Sequence, residues 1–158
     1  KYTKWSSYES EIKSVLIAYA SVYGGTQNAA EILAGKLSDK GVKDIKMYDV
    51  STIHPSYIVS DAFKYSHIVF ASTTYNMGIF VNMETLLHDI TAHNLQNRKV
   101  AIIENGSWAP FSGNLMTEMI SKWKNTEIIG NRVQLKSAVK ENNIDELEIL
   151  AQEIVKTI

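Results

Sequence analysis

Ser14-Val-Leu-Ile-Ala-Tyr-Ala20, followed by Ser21-Val22-Tyr23-Gly24-Gly25-Thr26-Gln27-Asn28, is the stretch on which the reading of this chain turns. Residues 14–20 are almost unbroken in apolar side chains. A short run of that kind suits a parallel strand covered on both faces, because a strand with one wet face would alternate. From Thr26 the period changes: Ala29, Ala30, Leu33, Ala34 and Leu37 recur at helical spacing up to Gly41, a residue suited to ending a helix. Strand, glycine-containing turn and helix complete one βα unit.

The alternation continues outward. Residues 44–50 read as a shorter, more polar edge strand and residues 55–64 as a helix. Residues 67–72 form a central strand, and residues 81–93 a helix with Leu86, Leu87 and Ile90 on one face. Residues 99–104 and 114–123 give the fourth strand and fourth helix. The last strand falls within residues 127–136, with a break at Gly130-Asn131. A closing helix spans residues 143–157, with Ile144, Leu147, Leu150, Ala151 and Ile154 in phase. Five strands alternating with five helices through right-handed crossovers predict an α/β fold, a doubly wound parallel sheet in a three-layer αβα arrangement.

Bulk properties restrict the function. A chain of 158 residues, 45% hydrophobic and 21% charged, is the size and composition of one folded domain. Sixteen Lys and Arg against seventeen Asp and Glu leave a net charge of -1, so no strong field invites nucleic acid or an anionic membrane. The absence of cysteine excludes disulfides, thiolate catalysis and cysteine-ligated clusters from these residues. With no bilayer-spanning apolar run and no signal-peptide pattern, a cytoplasmic location is expected. The opening Lys1-Tyr2-Thr3-Lys4-Trp5 lacks an initiator Met and reads as part of a longer chain.

In open parallel sheets ligands bind beyond the carboxyl ends of the strands, where strand order reverses. The loop after the first strand sets hydroxyls at Ser21 and Thr26 around Gly24 and Gly25, whose backbone N–H groups can approach an anion closely. The helix that follows contributes unpaired N–H groups and the positive end of its dipole. No Lys or Arg occurs between Val15 and Gly35, so a phosphate here is held by amides and hydroxyls without a countercharge. Neither the P-loop ending nor the G-x-G-x-x-G fingerprint is present. The plainer alternative makes Thr26 a helix N-cap and the glycines a tight turn.

The loop after the third strand, Ser72-Thr73-Thr74-Tyr75-Asn76-Met77-Gly78-Ile79-Phe80, carries no charge. Hydroxyls and an amide beside an aromatic suit a planar, hydrogen-bonding heterocycle, with Tyr75 a stacking candidate and Phe80 a packing residue. Gly78 allows a neighbouring peptide to reorient. The loop after the fourth strand, residues 104–113, supplies Asn105, Gly106, Ser107, Trp108, Phe111, Ser112 and Gly113 as further candidate contacts. Trp108 there either stacks on a ligand or packs beneath the loop.

The segments Tyr-Ala-Ser-Val-Tyr-Gly-Gly-Thr (19–26), Thr-Thr-Tyr-Asn-Met-Gly (73–78) and Glu-Asn-Gly-Ser-Trp-Ala-Pro (104–110) together resemble the flavin site of flavodiiron proteins, the A-type flavoproteins. The resemblance covers essentially the whole chain and implies a flavodoxin-like sheet of strand order 2-1-3-4-5 with FMN as cofactor. It implies a phosphate role for Ser21, Val22, Tyr23, Gly24, Gly25 and Thr26, and a ring-contacting role for Thr74, Tyr75, Asn76, Gly106 and Trp108, with Thr73, Met77 and Gly78 in the same loop. Thr73 stands where that family commonly has proline. Residues 1–13 resemble a linker between domains, leaving 14–158 as the flavin domain.

The resemblance further implies rubredoxin or a flavin/rubredoxin reductase as electron donor and a di-iron metallo-β-lactamase-like domain as acceptor. The full-length protein would be a homodimer or homotetramer that reduces O2 or NO. That metal domain is not written in this sequence: His54, His67, His88 and His93 are scattered and form neither H-x-H nor H-E-x-x-H. A phosphoacceptor receiver is excluded because Ser72 and Tyr19-Ala20 occupy the places that need acidic residues. A stand-alone flavodoxin, an NAD(P)H:quinone reductase-type flavoenzyme and a cofactor-free interaction module remain as alternatives.

Overall fold

The buried run around Val15 is the second of five adjacent strand positions in a parallel sheet. A computed structural model describes residues 12–20, 25–50, 55–75, 78–79, 81–92, 95, 98–105, 111–123, 126–129, 133–135 and 141–157. The strands are β1 (Ile12–Ala20), β2 (Lys46–Asp49), β3 (Tyr65–Tyr75), β4 (Gly78–Ile79), β5 (Lys99–Asn105), β6 (Glu127–Ile128) and β7 (Val133–Leu135). The helices are α1 (Gly25–Asp39), α2 (Pro55–Ala62), α3 (Val81–Ala92), α4 (Phe111–Ile120) and α5 (Glu141–Thr157).

The main path runs β2-β1-β3-β5-β6, with β7 also parallel to β5 and the short β4 antiparallel to β3. Counting β6 and β7 as two pieces of one edge, this is the expected 2-1-3-4-5 order. β6 ends at Ile128 and β7 begins at Val133; Gly130-Asn131, where the break is expected, lies outside the described residues.

Alternation along each strand divides the core in two. Leu16, Ala18, Ile68, Phe70, Val100 and Ile102 pack against α2, α3 and α4 through residues such as Ile58, Leu86, Leu87 and Met116. Val15, Ile17, Val69, Ala71, Ala101 and Ile103 pack against α1 and α5 through Leu33, Leu37, Leu147 and Ile154. Both faces are apolar, so the run in the sequence has no visible period of two. Gly41 ends α1 as expected, at φ 93°, with its N–H donating to Ser38 O (3.0 Å) and Val42 N–H to Leu37 O (3.0 Å). That bond pattern is a Schellman cap with its glycine in the left-handed region.

Three boundaries differ from the sequence reading. β3 runs on to Tyr75, and β4 folds back on it with Thr74 opposite Ile79 and Tyr75 opposite Gly78, so Thr73, Thr74 and Tyr75 are strand residues. Phe111, Ser112 and Gly113 form the first turn of α4 and are not loop; the helix ends at Ile120. Helical periodicity registers the first apolar repeat at Asn114 and later, whereas the first turn needs no apolar stripe and tolerates a preceding proline such as Pro110. β1 begins at Ile12, inside the stretch read as linker, with its register shifted before Val15.

The amino-terminal edge of the sheet is tied by two buried bases. Arg98, 1% exposed, donates from Nε to Ala62 O (3.3 Å) and from Nη2 to Phe63 O (2.8 Å), covering carbonyls at the end of α2 with positive charge. Burial pushes its pKa down to about 10, so it stays charged at neutral pH. His67 on β3 lies 2.7 Å from Ser66 Oγ at Nδ1 and 2.7 Å from Thr157 Oγ1 at Nε2, joining the end of α5 to the sheet. Thr157 Oγ1 donates to Ile154 O (2.9 Å), so Nε2 is the donor toward Thr157, while Ser66 Oγ at Nδ1 itself donates to Ser14 O (3.2 Å). Trp123 closes the opposite layer: its Nε1 donates to Thr91 Oγ1 (2.8 Å), and its ring meets Phe70 edge-on at 6.0 Å.

Two outcomes follow. Burial, with Lys99 adding to it, lowers the His67 pKa to about 4 against an ordinary 6.5. The unfolded chain therefore binds the extra proton first. Stability is full above pH 6.5 and falls as pH drops from 6.5 toward 4, by up to about 3 kcal/mol. Urea denaturation of wild type and His67→Gln across that window checks it: the substitution removes this component of the acid slope. Arg98→Met leaves the α2 carbonyls without their donor and should cost about 2–4 kcal/mol, read in the same denaturation experiment.

Candidate functional site

The carboxyl ends of β1, β3 and β5 lie side by side, because those strands are neighbours in the sheet although distant in the chain. Their register aligns Ala20 with Ser72, and Ser72 with Glu104; one residue further, Thr73 pairs with Asn105. The three predicted loops thus leave one edge of the sheet together. Ser21, Val22, Tyr23, Gly24, Asn76, Met77, Gly106, Ser107 and Trp108 lie outside the described residues; their neighbours Ala20, Gly25, Tyr75, Gly78 and Asn105 are in place at this edge.

At the end of β1 the helix opens directly. Gly25 is the first residue of α1 and Thr26 the second, so Thr26 sits within the first turn and not ahead of it as an N-cap. Its side chain is completely buried. The first turn holds no acidic residue, and Gln27 and Asn28 beside Thr26 are neutral and exposed. A helix of 15 residues therefore presents its positive dipole end with no carboxylate in its own first turn. Ala29 and Ala30, both buried, bring the helix close over the sheet. This donor set fits an anion such as a phosphate ester.

At the other two strands the polar residues are deeper than expected. Ser72 and Glu104 are completely buried on the face shared with α3 and α4, directly beside each other in register. Sequence reasoning made Ser72 and Glu104 each the last residue of its strand. Glu104 belongs to β5. The available signal was a polar side chain ending an otherwise apolar run, which at the carboxyl edge of a parallel sheet marks the ligand side. Gly78 pairs with Tyr75, and Phe111, Ser112 and Gly113 are the first residues of α4. Among the described residues no group of His, Asp and Glu could hold a metal ion, and His88 is exposed on α3.

The model of the flavodoxin domain family matches residues 16–145, and the chain belongs to that family. Rubredoxin-oxygen oxidoreductase of Megalodesulfovibrio gigas is 23% identical over 158 residues, all of this chain and 39% of that protein. The solved structure of the rubredoxin oxygen:oxidoreductase from Desulfovibrio gigas superposes at a TM-score of 0.91 and 22% identity, covering 99% of this chain and 38% of that one. The flavodiiron protein from Giardia intestinalis superposes at 0.86 and 14% identity, over 98% of this chain and 39% of the other. A flavodoxin of Streptococcus pneumoniae superposes at 0.78 with 21% identity, over 91% of this chain and 99% of its own. The chain spans about 40% of the length of the curated relatives it matches. Membership of the flavodoxin domain family and a flavodoxin-like architecture are thereby established. No helix among the described residues is long and apolar enough to cross a membrane.

Proposed function

We propose that this chain is an FMN-binding electron-relay domain of flavodiiron type. It takes electrons from rubredoxin or a flavin/rubredoxin reductase and passes them to a di-iron metallo-β-lactamase-like domain elsewhere in a longer protein. The carrying observation is the uncharged start of α1, with buried Thr26 at the end of β1, on a sheet edge shared with β3 and β5. The superposition with the rubredoxin oxygen:oxidoreductase along 99% of this chain supports the parent type.

FMN, when bound, supplies one-electron chemistry that no side chain of this protein offers. The protein's part is to hold and orient it. Thr26, with Ser21, Val22, Tyr23, Gly24 and Gly25, would receive the phosphate, using amides, a hydroxyl and the α1 dipole in place of a cation. Thr73 to Gly78 and Asn105 to Trp108, with Phe111, Ser112 and Gly113, would bound the ring. In the whole protein the acceptor irons would be supplied by a partner subunit of a head-to-tail homodimer or a homotetramer, and O2 or NO would be the terminal substrate.

A stand-alone flavodoxin or an NAD(P)H:quinone reductase-type enzyme is the second reading, favoured by the pneumococcal flavodoxin, which aligns over 99% of its own length. Anaerobic mixing with NADPH distinguishes the reductase: rapid bleaching of bound flavin supports it, and no bleaching without an added electron-transfer protein supports the relay.

Quenching of FMN fluorescence tests the site. Gln27→Glu places a carboxylate on an exposed first-turn side chain without entering the core, and Thr26→Asp places one at the cradle itself. FMN affinity should fall several-fold in the first and by at least about tenfold in the second, with riboflavin, which lacks the phosphate, changed by no more than about twofold. Equal FMN affinity in all three proteins would move the phosphate off α1.

A further inference from the structure

Glu104 is a titratable side chain with no part in the reading above, and it is completely buried at the carboxyl edge of the sheet. It is the penultimate residue of β5, beside buried Ser72 of β3, on the face covered by α3 and α4. Each of these two polar residues closes an apolar strand interior just before the segment assigned to the flavin ring.

We propose that Glu104 is the proton-linked positioning residue of the flavin site, its carboxyl exchanging a proton with water as the charge of the bound flavin changes. The inference rests on the flavin reading given above. A carboxyl removed from water holds its proton with an affinity set by nearby charge, and in such surroundings charges act on each other more strongly than in solvent. When one electron from a one-electron donor enters the site, one proton from water moves onto a Glu104 carboxylate oxygen, and both leave on reoxidation. The carboxyl O–H bond so formed replaces one broken in a hydronium ion of the solvent, and no other covalent bond forms or breaks.

The competing titratable groups around it, among the described residues, are few. His67 and Tyr65 on β3, and Arg98 and Lys99 beside β5, lie at the opposite edge of the sheet. On α2, α3 and α4, which cover this face, Tyr57, Glu84, His88 and Glu118 are exposed and Asp61 and Asp89 are half-buried. Glu127 of β6 is exposed on the outer strand. Glu31, Lys36 and Asp39 of α1, and Glu141, Asp145, Glu146, Glu148, Glu153 and Lys156 of α5, belong to helices on the other face.

The test is a redox titration of the FMN-loaded chain against dithionite from about pH 5.5 to about pH 8.5, for wild type, Glu104→Gln and Glu104→Asp. At the alkaline end Glu104→Gln should favour reduced over oxidised FMN by about tenfold relative to wild type, and the difference should shrink toward the acid end. Glu104→Asp, which keeps a carboxyl, should retain a pH-dependent component that the amide lacks. Profiles of wild type and Glu104→Gln that superimpose, whatever the change in thermal stability, would reduce Glu104 to a packing residue. Should Glu104→Gln not fold, Ser72→Ala decides: a displaced profile supports the linkage and a superimposed one overturns it. Failure of wild type to take up FMN would be a separate result, overturning the flavin reading itself.

Discussion

A parallel sheet has no solvent face, and that constraint organises this molecule. Each interior strand must bury side chains on both sides, so β1, β3 and β5 carry apolar residues at successive positions and need helices above and below. The crossover connections deliver those helices, and they also force every strand to point the same way. All carboxyl ends therefore meet at one edge. The site is a consequence of the covering requirement before any functional residue is considered.

The two edges of the sheet are finished differently. At the amino-terminal edge polar groups are consumed internally: Arg98 holds the end of α2, and His67 holds the end of α5 through Thr157. At the carboxyl edge, Thr26, Ser72 and Glu104 are just as deeply buried but stand where loops leave the sheet. Burying a polar side chain is unfavourable unless it finds a partner, so polar burial at either edge is a matter of local pairing and not of apolar packing. The first edge is a clasp, and the second is where the proposed flavin site would lie.

Much of this was legible in the chain. The unbroken run at residues 14–20, the helical spacing through Leu37 and the stop at Gly41 reappear as β1, α1 and a left-handed glycine. The split final strand was legible from Gly130-Asn131. The antiparallel β4 was not, because a two-residue strand has no period of its own and exists only through its pairing with Tyr75 and Thr74. The start of α4 at Phe111 escaped for a related reason: a first helical turn is defined by its cap and its surroundings more than by an apolar stripe. Nothing near Arg98 in the chain marks it as buried; its burial arises only where the end of α2 meets it.

By itself, then, the sequence determined the order of strands and helices, the glycine-rich turn before α1 and the absence of charge along it, since each depends on residues close together in the chain. Tertiary structure alone decided that Ser72 and Glu104 lie side by side and dry, that Thr26 is within its helix, and that Arg98 and His67 are buried. Register between strands more than thirty residues apart, and the loss of water around a polar group, arise only when distant segments pack; local spacing carries no record of either.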